Sequence, residues 1–178
     1  MWTLPNILTL SRIVALPLLA FLLWWPNWHY GYGLAFVLYC LMGITDYFDG
    51  YLARTSGAVS RLGIFLDPIA DKVLIGGALV TLSLLGEIPW WITVLILVRE
   101  IGITIFRLVV IRDGVIPASK GGKLKTLTQN FGVSFYILPL PEVIHPMRDA
   151  LMAVAVVLTI WSGIDYIVKW RQSRKVTQ

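Results

Sequence analysis

The sequence predicts an all-α, polytopic membrane protein with six transmembrane helices and both termini in the cytoplasm. Three observations predict it. Hydrophobic residues make up 57% of the 178-residue chain and charged residues 14%, whereas a soluble domain of this size carries about 25% charged residues. Apolar runs of about 20 residues, the length that crosses a hydrocarbon core, recur along the chain. The cations gather in alternate connections between those runs.

The first helix is expected from about Leu4 to Trp25. Pro5 stands near its start, where a missing N–H costs little, and Pro26-Asn27-Trp28 ends it. The second runs from about Tyr30 to Ala53. The third begins near Asp67 and ends at Gly86. The fourth follows Pro89 and runs from Trp90 to Ile111. The fifth runs from about Thr126 to Leu138, where Pro139 and Pro141 stop it. The sixth runs from about Met147 to Trp170.

Lysine and arginine asymmetry sets the orientation. One set of loops and ends holds Arg54, Arg61, Arg112, Lys120, Lys123, Lys125, Lys169, Arg171, Arg174 and Lys175, and the opposite set holds Arg148. Trp24, Trp25, Trp28, Trp90 and Trp91 then fall at the outer interface, where amphipathic rings prefer to sit. The N-terminal Met1-Trp2-Thr3-Leu4 lacks the basic stretch of a cleavable signal. Cys40, the sole cysteine, lies in an apolar run and reads as a core residue. The formal charge of +5 is topological and does not point to nucleic acid. With no linker, repeat or low-complexity tract, residues 1–178 read as one domain.

Ionisable groups are costly in a bilayer and are functional candidates by default. Asp46 and Asp49 lie near the cytoplasmic end of the second helix, three apart and on one face. Asp67 and Asp71 open the third, four apart and also on one face. Two helices joined by a short loop pack side by side, so the four carboxylates can converge. Unpaired, they would repel one another, and the helix dipole at Asp67 and Asp71 is too weak to hold them. A salt-bridge network with Lys72, Arg54 and Arg61 is one solution. Divalent metal is the other. An all-carboxylate set suits Mg²⁺ or Mn²⁺, the lack of His and Cys argues against Zn²⁺, and four carboxylates suit two ions about 4 Å apart. Gly50 and Ala53 leave room beside the acids, although small residues also line helix contacts.

Residues 46 to 71 read Asp46-x2-Asp49-Gly50-x2-Ala53-Arg54-x8-Gly63-x3-Asp67-x3-Asp71. The pattern resembles the signature of the CDP-alcohol phosphatidyltransferase family at all eight fixed positions. By composition such a match has a chance on the order of 10⁻¹⁰ per starting position, which makes it specific. The six-helix layout is similar to the family's core over nearly the whole chain. The resemblance implies that Asp46, Asp49, Asp67 and Asp71 coordinate two divalent ions, which bind the diphosphate of a CDP-linked lipid. It implies that Gly50 and Ala53 make room for the CDP moiety, that Arg54 touches its phosphates and that Gly63 lets the loop approach the nucleotide. Asp71 would also be the catalytic base for the acceptor hydroxyl. A homodimer in the bacterial cytoplasmic membrane, with its active site facing the cytoplasm, is the implied assembly. Gly76-Gly77-Ala78 permits a close helix contact without saying which helices make it.

The acceptor rests on other residues. Arg99 and Arg107 lie eight apart in the fourth helix, about 80° around it, and face roughly one side. Cations there need an anionic partner. That partner is a bound phosphate, or Glu100 or an aspartate in a purely structural pairing. The run Ile116-Pro117-Ala118-Ser119-Lys120-Gly121-Gly122-Lys123-Leu124-Lys125-Thr126 puts lysines and glycines just before a helix, where Lys120 and Lys123 can cradle a phosphate or anchor the loop. Together these groups favour an acceptor that already carries phosphate. The N-terminal Leu4-Pro5-Asn6-Ile7-Leu8-Thr9-Leu10-Ser11-Arg12, Arg99-Glu100-Ile101-Gly102 and the lysine–glycine run resemble bacterial members of the family that join CDP-diacylglycerol to glycerol 3-phosphate. Asn6, Thr9 and Arg12 would then lie near the nucleotide or acceptor, or would be packing residues. Inositol phosphate and phosphatidylglycerol stand as alternative acceptors. A prenyltransferase, a transporter or ion-binding protein, and a charged scaffold are the rival classes.

Overall fold

The computed structural model describes residues 4–25, 30–56, 61–110 and 120–176, with side chains over 11–25, 30–45, 72–106 and 124–172. The described residues form six α-helices in succession: α1 (Leu4–Trp24), α2 (Gly31–Ser56), α3 (Arg61–Leu84), α4 (Trp90–Val110), α5 (Lys120–Ile137) and α6 (His145–Val176). A 3₁₀ turn, Glu142–Ile144, leads into α6. The described residues contain no strand. The chain divides into two units, Met1–Pro89 with Val133–Leu140, and Trp90–Gly132 with Pro141–Gln178.

In the first unit α1 packs against both α2 and α3. Helical periodicity explains how. Leu19, Leu22 and Leu23 of α1 are buried, while Val14, Leu18 and Phe21 are exposed. On α3 the buried set is Leu74, Ile75, Ala78, Leu79 and Leu82; on α2 it is Ala35, Tyr39 and Met42. Gly77 marks the close approach: a Cβ built there would run into the side chain of Leu16. The small-residue stretch of α3 thus serves a contact with α1.

In the second unit α4 packs against α6. Phe106 meets Tyr166 and Trp170 edge to face, with ring centroids 6.0 and 5.0 Å apart, a favoured aromatic geometry. Arg99 reaches Ser162. Pairs therefore ascend together on both helices, so α4 and α6 run parallel. Small and polar residues of α6 (Ala155, Thr159, Ser162) are buried, and large apolar ones (Val154, Val157, Trp161, Ile164, Val168) are exposed. A soluble helix has the reverse distribution.

Among the described residues, Glu142–Gln172 is long and apolar enough to cross a membrane, and Ser11–Trp24, Gly31–Thr45 and Lys72–Leu84 are shorter apolar stretches.

Three predicted boundaries move. α3 starts at Arg61 rather than near Asp67, because Leu62, Ile64, Phe65 and Leu66 extend the apolar pattern ahead of Pro68. Asp67 and Asp71 accordingly stand beyond the first turn, where the helix dipole gives them little. α5 starts at Lys120 rather than at Thr126. The lysine–glycine run is its first turns, not a loop before it. α6 continues to Val176, since the cations after Trp170 are good helix formers and suit a C-terminus.

Gly86 ends α3 with φ +78°. Its N–H donates to Ser83 O at 3.1 Å, and the Glu87 N–H donates to Leu82 O at 2.9 Å. This paired closure needs a left-handed residue, for which glycine alone has no Cβ penalty. Gly86→Ala should lower stability by about 1–2 kcal/mol. Gly43→Ala, in open space inside α2, should raise it by about 0.5–1 kcal/mol. Thermal unfolding of the purified protein in detergent reads both signs.

Candidate functional site

The four aspartates divide between two helices of the first unit. Asp46 and Asp49 stand in α2, and Asp67 and Asp71 in α3. Their backbone is helical, so the i, i+3 and i, i+4 spacings place each pair on one helix face. Both helices are held by α1. The four side chains lie outside the described residues, as do those of Gly50, Ala53 and Arg54 on α2, Gly63 on α3 and Asn6 on α1. Among the described side chains no three His, Cys, Asp or Glu gather. The donor set that the two helices supply is purely carboxylate, which fits a hard divalent cation. Arg12, two turns after Asn6 on α1, is buried at 2% exposure.

The second unit holds a cation cluster that is described in full. Arg99 and Glu100 lie midway along α4, each with 17% of the side chain exposed. Arg99 Nη1 donates to Glu100 Oε1 at 3.0 Å. Lys125 of α5, buried at 2% exposure, donates its Nζ to the same oxygen. One carboxylate thus holds two cations, and the trio carries one net positive charge. Arg99 is fixed from the other side by α6. Its Nη2 donates to Ser162 Oγ at 2.9 Å, and Ser162 Oγ donates to Thr159 O at 3.1 Å. The alternative of a pairing with Glu100 is therefore realised for Arg99, but it leaves Nε without a partner among the described residues.

Arg107 stands on α4, and Lys120 and Lys123 stand in the first turns of α5, with side chains outside the described residues. Sequence reasoning missed two members of this cluster and underused a third. In the sequence Lys125 is one lysine among several; its helical position one turn from Gln129 is the signal that separates it. Ser162 gave no signal beyond a polar residue in an apolar helix. The sequence offers Glu100 only as a rival partner for Arg99, because its bridge to α5 joins residues 25 positions apart.

With this geometry in place, the comparisons with known proteins are direct. A model of the CDP-alcohol phosphatidyltransferase family matches residues 2–161. The chain belongs to this family. Among curated proteins, a "Probable phosphatidylglycerophosphate synthase" of Mycobacterium tuberculosis is 48% identical over 168 residues, covering 93% of this chain and 80% of that protein. A "CDP-diacylglycerol--glycerol-3-phosphate 3-phosphatidyltransferase" of Bacillus subtilis is 35% identical, covering 95% of each chain. The protein of the same name from Escherichia coli is 33% identical, covering 93% of each. As a CDP-alcohol phosphatidyltransferase, the chain carries all eight positions of the aspartate signature.

The Glu100 bridge makes a stability prediction. Glu100→Gln leaves two enclosed cations facing a neutral amide and should cost about 3 kcal/mol, the scale for breaking a buried ion pair. Adding Lys125→Met removes one of the two cations and should recover part of the loss. A double-mutant cycle on thermal unfolding measures the coupling.

Proposed function

We propose that this CDP-alcohol phosphatidyltransferase is a phosphatidylglycerophosphate synthase: it transfers the phosphatidyl group of CDP-diacylglycerol to glycerol 3-phosphate and releases CMP. The observation that carries the acceptor is the 48% identity, over 93% of the chain, with a relative of that name. The cations of the second unit support it, because an acceptor that brings its own phosphate calls for them, whereas serine or choline does not.

The roles divide as follows. Asp46, Asp49, Asp67 and Asp71 would hold two Mg²⁺ or Mn²⁺ ions. When bound, such ions supply neutralising charge to a diphosphate and to the departing CMP. Arg54 would pair with the nucleotide phosphates. Gly50, Ala53 and Gly63 would leave room for the CDP moiety, and Asn6 would stand near it. Arg99, Arg107, Lys120 and Lys123 would take the acceptor phosphate, joined by Lys125. Asp71 would accept the proton of the acceptor hydroxyl. As that oxygen bonds to the lipid-bearing phosphorus, the bond from phosphorus to the bridging oxygen breaks, and CMP leaves with the electron pair. Positioning and charge stabilisation are the main contributions expected in phosphoryl transfer.

This reading places the enzyme in the bacterial cytoplasmic membrane, with six spans, cytoplasmic termini and a site open to the cytoplasm. Helix length supports it. The 21 residues of α1 and of α4 extend about 31 Å at 1.5 Å per residue, close to the hydrocarbon thickness. The exposed apolar faces of α1, α2, α4 and α6 and the parallel course of α4 and α6 agree with chain crossings that alternate in direction. The protein is expected to act as a single domain and as a homodimer.

Purified protein with CDP-diacylglycerol, glycerol 3-phosphate and Mg²⁺ should release CMP, and chelation should stop the reaction. Asp71→Asn should reduce turnover by at least about 10³-fold, within the range of a lost general base, while the variant stays folded. Full turnover by that variant would remove Asp71 from the mechanism. In a panel of labelled acceptors, incorporation of inositol phosphate but not glycerol 3-phosphate would overturn the acceptor assignment.

A further inference from the structure

Gln129 of α5 is fully buried, at 0% exposure. Neither Nε2 nor Oε1 of its amide has a hydrogen-bond partner among the described residues. Leaving a buried polar group unsatisfied is unfavourable, and an apolar residue of similar shape carries no such cost. A leucine or methionine would therefore be the better choice if the position served packing alone. Gln129 also lies one helical turn, about 6 Å, from Lys125 on the same face of α5. Lys125 shares the Glu100 carboxylate with Arg99, whose Nε also lacks a hydrogen-bond partner among the described residues. Three helices thus contribute to one buried polar region that is left partly unsatisfied.

The chemistry of those atoms narrows what completes the region. Gln129 Oε1 is an orphan acceptor, so it requires a donor. A phosphate cannot supply one. An ammonium group can, but the Arg99–Glu100–Lys125 trio beside it carries a net positive charge that disfavours a second cation. A neutral hydroxyl donates to Oε1 or accepts from Nε2. Glycerol 3-phosphate brings one such group that does not react when its terminal hydroxyl attacks: the secondary hydroxyl at the middle carbon.

We propose that Gln129 is a specificity-determining residue whose carboxamide binds the non-reacting secondary hydroxyl of a polyol phosphate acceptor. This rests on the glycerol 3-phosphate reading above. It adds a reason for selecting a polyol phosphate over an amino alcohol, and a residue that performs the selection.

The test crosses a change in the protein with a change in the substrate. The acceptors are glycerol 3-phosphate and 3-hydroxypropyl phosphate, which keeps the terminal hydroxyl and the phosphate but lacks the secondary hydroxyl. The full-length wild-type enzyme should favour glycerol 3-phosphate in kcat/KM by roughly 10- to 100-fold, the scale of one buried hydrogen bond. Gln129→Met should lose about that factor with glycerol 3-phosphate and stay within about 2-fold of wild type with 3-hydroxypropyl phosphate. Gln129→Asn should recover part of the preference. Equal losses with both acceptors would assign Gln129 a structural role and overturn the proposal, and no loss with either would assign the amide to water and do the same. If Gln129→Met does not fold, the wild-type comparison still decides: turnover of both acceptors at equal kcat/KM overturns the proposal while leaving the function intact. Absence of any turnover with glycerol 3-phosphate overturns the function reading, and this inference with it.

Discussion

The Glu100 carboxylate accepts from Arg99 on its own helix and from Lys125 on the next. In a chain with so few charged residues, this is a costly arrangement to build and a damaging one to break. It ties α4 to α5, while the Arg99–Ser162 bond ties α4 to α6. The second unit is thus cross-linked by polar contacts through one guanidinium and one carboxylate. Its apolar side chains then have less to decide, and many of the large ones face outward. Where lipid is the solvent, such faces cost nothing, and polar groups are the ones that must turn inward.

The two units solve their packing in different ways. In the first, α1 is wedged between partners by shape: leucines on one face, and a glycine on α3 where Leu16 comes close. In the second, hydrogen bonds and edge-on aromatic rings fix the register between α4 and α6. The division matches the chemistry proposed for each. A carboxylate set that binds metal needs helices held at a fixed separation, which close packing supplies. A set of cations that binds a small anion needs its donors aimed, which a bridging carboxylate and a serine relay supply.

Several features were legible before any coordinates. The aspartate spacing marked two helix faces, and both helices are present. Arg99 was singled out as a cation in an apolar helix, and it sits at the centre of the polar cluster. What misled was local. Glycines at 121 and 122 suggested a loop, because glycine is a poor helix former. In the fold they are helical, and Lys125, three residues on, is anchored by a contact 25 positions away in sequence. The third helix is expected to begin near Asp67, yet the apolar pattern ahead of that residue carries it back to Arg61.

The sequence by itself determined the family, the helical class, the six helices of the described residues and the acids that define the signature. These follow from composition, run length and short-range spacing, which need no knowledge of which helix meets which. The tertiary structure decided the polar contacts of the second unit: that Glu100 serves two cations, that Ser162 orients one of them and that Gln129 is enclosed with its amide unmet among the described residues. Those facts depend on side chains from α4, α5 and α6 arriving at one place. No periodicity along a single helix encodes that meeting, because it is set by the packing of helices far apart in sequence.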